Sequence, residues 1–233
     1  MAGQQTALIV GAGQGLSASL ARRFAKEGVA VALAARKIDK LEALAKATGA
    51  TTHRCDVSSR NDVEALFRDL DTGMGTPDIV VFNASARVRG PITEIDADEV
   101  LRATTVTCHG GFLVAQQAAA RMIERGSGAI FFTGASASVK GYAKSSCFAM
   151  GKFGLRGLAQ AMARELQPQN IHIAHFVIDG GIKQSADDPR AKGRGEDGLL
   201  EPDAIADSYF HLWRQHRSSW GWEIELRPWV ENF

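Results

Sequence analysis

Three glycines near the start of the chain offer the first recognisable chemistry. In Ala7-Leu8-Ile9-Val10-Gly11-Ala12-Gly13-Gln14-Gly15-Leu16-Ser17 an apolar, strand-like run passes into an Ala- and Leu-rich helical stretch through Gly11, Gly13 and Gly15. Bare backbone amides around these glycines and Leu16, at a helix N-terminus whose dipole favours negative charge, suit a pyrophosphate. The placement at the first strand–helix junction of an alternating chain points to a dinucleotide. Its type is decided about 20 residues further on, where an acid would accept from a ribose 2′-hydroxyl. The chain carries Ala35 there, followed by Arg36 and Lys37. An acid would repel a 2′-phosphate, whereas a guanidinium pairs with one through two parallel hydrogen bonds. The sequence therefore predicts NADP(H) rather than NAD(H).

A second group lies in the latter half. Ser145, Phe148 and Lys152 fall at i, i+3 and i+7, on one face of an expected helix, with Tyr142 just upstream and Ser136 and Ser138 before it. Three other patterns fail on inspection. Gly134-Ala135-Ser136-Ala137-Ser138 mimics a nucleophile elbow but lacks its closing glycine and the immediate helix. His172 and His175 are three apart on an expected strand and point to opposite faces, and His211 and His216 are five apart on an expected helix, so neither pair converges on a metal. Gly151-Lys152 is followed by Phe153, not by the Ser or Thr of a nucleotide-phosphate loop.

The elements that must position these residues follow from alternation. Short β-branched runs at 7–10, 30–34, 51–54, 78–82, 129–133, 172–178 and 223–226 interleave with helical stretches at 16–27, 39–47, 61–70, 98–125, 145–167 and 203–215. That pattern predicts a doubly wound α/β domain of about seven strands, a parallel sheet with helices on both faces. Ser59 to Asp62 ahead of Val63 reads as a capping box that fixes one helix start. The segment 183–203, rich in Gly, Asp and Lys/Arg and holding Pro189 and Pro202, breaks the alternation and is expected to be a lid. All four tryptophans, Trp213, Trp220, Trp222 and Trp229, crowd into the last 21 residues and read as core and subunit-contact aromatics.

Composition narrows the function classes. With 233 residues, 45% of them hydrophobic, a single domain suffices, and 27 Lys+Arg against 26 Asp+Glu leave no field to hold a nucleic acid. No apolar stretch reaches the ~20 residues that span a bilayer, and residues 1–6 lead straight into a strand without signal-peptide architecture, so a cytoplasmic protein is expected. Cys55, Cys108 and Cys147 are odd in number and widely spaced, which predicts reduced thiols.

With the glycine loop, Asp56-Val57 after the third strand, Asn83-Ala84-Ser85-Ala86 after the fourth and Lys152 on the fifth long helix, the chain resembles the short-chain dehydrogenase/reductases over nearly its whole length. The resemblance implies a Rossmann-type fold in which Asp56 contacts the adenine amine and Asn83 with Ala84 shapes the floor under the cofactor. It also implies that Lys152 holds the nicotinamide ribose and that Gly180 and Ile182 face the nicotinamide amide. The chain departs from the family at the catalytic positions. The family's Tyr-x-x-x-Lys is here Phe148-Ala149-Met150-Gly151-Lys152, its Ser aligns with Ala135 and its helix Asn with Thr107. Asp179 replaces the family's Pro before Gly180, and Ser85 replaces the Gly of Asn-Ala-Gly.

Two outcomes follow from these departures. One is an NADP(H)-dependent oxidoreductase for a small carbonyl or activated alkene, with a hydroxyl from Ser145, Tyr142 or Ser136, or a water, handling the proton. The other is a catalytically silent relative that keeps the cofactor as a sensor or scaffold. The dienoyl-CoA reductases, which also lack Tyr before the helix Lys, are a more distant likeness, because their upstream Tyr aligns with Ala137. The long helices 98–125 and 145–167 resemble those through which the family forms dimers and tetramers, so a homo-oligomer is expected.

Overall fold

Strands that are buried on both faces need no polar alternation, and the middle of this sheet shows it. Strand β1 (Thr6–Val10) and strand β4 (Ile79–Phe82) are buried throughout, as is strand β6 (Ile171–Ile178). With β2 (Ala30–Ala35), β3 (Thr51–Arg54), β5 (Gly128–Thr133) and β7 (Glu223–Leu226) they form one parallel sheet in the order β3-β2-β1-β4-β5-β6-β7. This is the doubly wound single-domain α/β fold read from the alternation, with every strand within one residue of its expected bounds. The computed structural model describes residues 3–185 and 187–231.

Side chains separate with the period of two that a strand imposes. Leu8, Val10, Val80, Phe82 and Phe132 enter one core, closed by helices α3 (Arg60–Thr72), α5 (Gly110–Arg125) and α6 (Ser146–Leu166). Ile9, Leu33, Val81, Phe131 and Phe176 enter the other, closed by α1 (Leu16–Lys26) and α7 (Pro202–Trp213). The chain turns back across the sheet between β1 and β4, which opens a crevice beyond the strand carboxyl ends. Ser59 caps α3 as expected: its hydroxyl accepts from Asp62 N at 3.2 Å and donates to Asp62 Oδ1 at 2.8 Å. The other Asp62 oxygen accepts from Asp56 N at 3.1 Å, so the cap also anchors the Asp56 loop.

One element differs in kind. The helix expected at 98–125 is α4 (Ala97–Thr104), then a π-helical turn at Thr105–His109, then α5. The wide turn seats Thr107, whose hydroxyl accepts from Ala86 N at 3.0 Å while Gly151 packs against its side chain. Among the tryptophans, Trp213 packs on Phe24 and Trp220 stacks on His172, whereas Trp229 is exposed. Cys55, Cys108 and Cys147 are free thiols. Among the described residues no helix is long and apolar enough to cross a membrane, and no group of His, Cys, Asp and Glu has the makings of a metal site.

Candidate active site

Two adjoining cavities occupy the crevice. The first, about 750 Å³, is lined by Gly11, Gly13, Arg36, Lys37, Asp56, Val57, Asn83 and Ala84, all of which the sequence nominated. The second, about 400 Å³, is lined by Gly15, Leu16, Gly180, Ile182, Phe148 and Lys152. Asn83 and Ser85 belong to both walls, so the cavities meet at the end of β4.

The glycine loop is built for close approach. Gly11 has φ +82°, and a Cβ there would lie 2.4 Å from Ala84 N. Ser17 ties the loop from behind, donating to Gly11 O at 3.1 Å and accepting from Asn83 Nδ2 at 2.7 Å. No side chain caps α1 and no acid occupies its first turn, which leaves the positive end of the helix to an anion in the crevice. Gly11→Ala combines a left-handed backbone with a backbone clash. It is expected to cost about 1–3 kcal/mol in strain and to abolish dinucleotide binding; chemical denaturation and a nucleotide titration check both.

The far end of the first cavity is strongly cationic. Arg36 and Lys37 are joined by Lys40 and Arg54, which sequence reasoning missed because their positions are set by the following turn and by the neighbouring strand. Burial alone would raise the Asp56 carboxyl, but hydrogen bonds from Ser58 N (3.0 Å) and Oγ (2.7 Å), helped by the Arg36 charge, outweigh it and hold the group below the usual carboxylate range. A ribose 2′-phosphate matches the cations, and the Asp56 carboxylate remains an acceptor beside them.

The second cavity holds Lys152 and the positions at which the sequence is expected to depart from the family. Lys152 is 3% exposed and its Nζ donates to Thr133 O at 2.6 Å. Burial, followed by the charge of Arg87, pushes this ammonium down to about 7. Phe148 is buried, with its ring centroid 5.8 Å from Lys152 Nζ, and packs with Ala135 and Ala137 into a small apolar cluster of its own. Phe148 and Ala135, which the resemblance aligns with two of the family's proton-handling positions, thus give this cavity wall an apolar patch. At the third, the Thr107 hydroxyl is engaged with the Ala86 backbone.

The hydroxyls expected to replace the missing phenol are not on this wall. Tyr142 is 47% exposed. Ser145 precedes α6 with φ −131° and ψ 24°, so the helical spacing that joined it to Phe148 and Lys152 does not extend to it. Ser136 opens a short 3-10 turn and does not line the cavity, and Ser138 Oγ is spent accepting from Ala135 N at 3.1 Å. Of the chain's two tyrosines, the other, Tyr209, is fully buried with its hydroxyl 2.9 Å from Thr133 Oγ1. No phenol faces the cavity among the described residues. Ser85, by contrast, lies on both walls.

Asp179 has a clear role in this fold. Buried at the end of β6, its Oδ2 accepts from Lys140 Nζ at 3.1 Å and from Arg227 Nη2 at 2.6 Å, joining two loops beneath Gly180. A Cβ on Gly180 would meet Pro228 Cδ at 2.8 Å. The root of segment 183–203 is pinned where Ile182 pairs with Leu200 and Asp188, held well below the usual carboxylate range by Arg190, accepts from Gln184 N at 2.9 Å. Lys183, Gln184 and Arg190 consequently reach the cavity wall.

Fold, crevice and glycine cradle define a Rossmann-type nucleotide-binding protein. Residues 5–190 match the short chain dehydrogenase family, and the chain belongs to it. It is 32% identical over 181 residues to a short-chain dehydrogenase/reductase of Armillaria gallica, covering 74% of this chain and 69% of the relative. A crystal structure of a short-chain dehydrogenase from Rhodopseudomonas palustris, 33% identical, superposes with a TM-score of 0.82 over 97% of this chain and 99% of that one. A metagenomic short-chain oxidoreductase in complex with NADP, 26% identical, superposes with a TM-score of 0.84 over 96% of each chain.

Proposed function

We propose that the protein binds NADP(H) and works as an oxidoreductase on a small carbonyl compound or activated alkene in the cytoplasm. The observation that supports this most is the continuous crevice, with an uncapped helix end in its middle, four cations at one end and Lys152 at the other. When bound, the reduced cofactor supplies a hydride. Gly11, Gly13, Gly15 and Leu16 hold the pyrophosphate, Arg36 and Lys37 the 2′-phosphate, Asp56 and Val57 the adenine, and Asn83, Ala84, Gly180 and Ile182 the nicotinamide end. Lys152 Nζ orients the ribose. A water in the cavity takes the place of the phenol as the proton source. Segment 183–203 covers the cavity as a lid.

The apolar cluster of Phe148, Ala135 and Ala137 favours a second reading, a catalytically silent NADP(H)-binding sensor or scaffold. One experiment separates the two: the protein is mixed with NADPH and a panel of aldehydes, quinones and enones, and cofactor absorbance is followed. Turnover by the natural sequence supports the enzyme. Turnover confined to a variant carrying Phe148→Tyr and Ala135→Ser supports the silent protein.

Leu101, Phe112, Met150 and Phe153 are exposed on α4, α5 and α6, and we propose that this face joins copies into a homo-dimer or homo-tetramer. Gel filtration is expected to give a multiple of 25.0 kDa. A monomer at micromolar concentration contradicts the assembly.

A further inference from the structure

Arg87 is the residue of the second cavity that neither the glycine cradle nor Lys152 explains. It follows β4 in the loop held by Thr107, and its guanidinium lies 3.9 Å from the centroid of the Phe148 ring. Four ionisable side chains line this cavity, Arg87, Lys152, Lys183 and Arg190, and all are bases. Two are neutralised, Lys183 by Glu201 and Arg190 by Asp188. Lys152 donates to Thr133 O and, on the oxidoreductase reading, serves the cofactor ribose. Arg87 makes no ion pair among the described residues, and its neighbour Arg89 adds like charge.

Stacking uses only the face of a guanidinium. The in-plane N–H groups stay free to donate, and their fork matches the two oxygens of a carboxylate. Phe148 thus serves as the platform that holds the fork beside Lys152, at the position where the family resemblance puts the reacting group. We propose that Arg87 is a specificity-determining residue that selects substrates bearing a carboxylate, held by the guanidinium while it rests on Phe148. This inference rests on the oxidoreductase reading and names the substrate class for the same site.

The test is calorimetric, on protein saturated with oxidised cofactor so that keto and enoic acids bind without being reduced, each compared with its methyl ester. NADPH affinity is titrated first. The natural sequence is expected to bind at least one acid about tenfold or more tighter than its ester. Arg87→Met, which keeps an apolar stem over the ring, is expected to remove that preference while leaving NADPH affinity unchanged, and Arg87→Lys to keep part of it. Equal binding of acids and esters, or no binding of any acid, overturns the role of Arg87 while the cofactor reading stands. Weakened NADPH binding by Arg87→Met also overturns it, by assigning Arg87 to the cofactor. Failure of the natural sequence to hold NADPH overturns the oxidoreductase reading, and this inference with it.

Discussion

Phe148→Tyr combined with Ala135→Ser is expected to raise carbonyl reduction by about 10²–10⁴-fold, the usual contribution of a positioned proton donor. A phenol at position 148 would stand beside two cations, since Lys152 Nζ is 5.8 Å and the Arg87 guanidinium 3.9 Å from the ring centroid. Both favour the phenolate and so bring the Tyr pKa toward neutrality, while the new negative charge raises that of Lys152. The second substitution is needed because the Ala135 methyl packs against the ring and offers the substrate oxygen no hydrogen bond. Adding Lys152→Met to the repaired chain is expected to remove the gain. Steady-state rates with NADPH and a panel of ketones and enones check both steps; an unchanged rate in the repaired chain would mean that position 148 does not meet the reacting group.

Arg36→Ala is expected to weaken NADPH binding by about 10–100-fold, the range for charge-assisted hydrogen bonds of roughly 1.5–3 kcal/mol, and to leave NADH binding nearly unchanged. Lys37, Lys40 and Arg54 share the cavity but lack either the fork or the position directly after β2, so their single replacements are expected to do less. The Asp56 carboxyl, relieved of the Arg36 charge, is expected to titrate higher. Fluorescence titrations with both cofactors check the effect. An equal loss for NADPH and NADH would mean that Arg36 only raises the general field of the cavity.

How far the sequence reveals this molecule depends on what sets each position. The strands were readable because short unbroken apolar runs such as Ile79–Phe82, β-branched and alternating with longer helical stretches, fit a sheet covered on both faces. The glycine loop and Arg36 were readable because they sit at fixed distances from strand ends. The π-helical turn was not, because the weak helix formers of Thr105–His109 do not tell a widened turn from an ordinary one, and the bond from Ala86 N to the Thr107 hydroxyl there is a tertiary contact. Ser145 was misplaced by carrying helical periodicity one residue beyond the helix start. Arg87 left no signal, since a loop has no period and the ring beneath it comes from a helix 61 residues later. Asp179 at the family's Pro position carried no readable consequence, because Lys140 and Arg227 reach its carboxylate from distant parts of the chain.

The central claim is that the crevice between β1 and β4 holds a phosphorylated dinucleotide. Titration of the unliganded protein with NADPH and, separately, NADH, followed by nicotinamide fluorescence, tests it most directly. The account predicts saturable binding of NADPH at least about tenfold tighter than that of NADH, equivalent to about 1.4 kcal/mol. Binding of neither cofactor, or a preference for NADH, would contradict it.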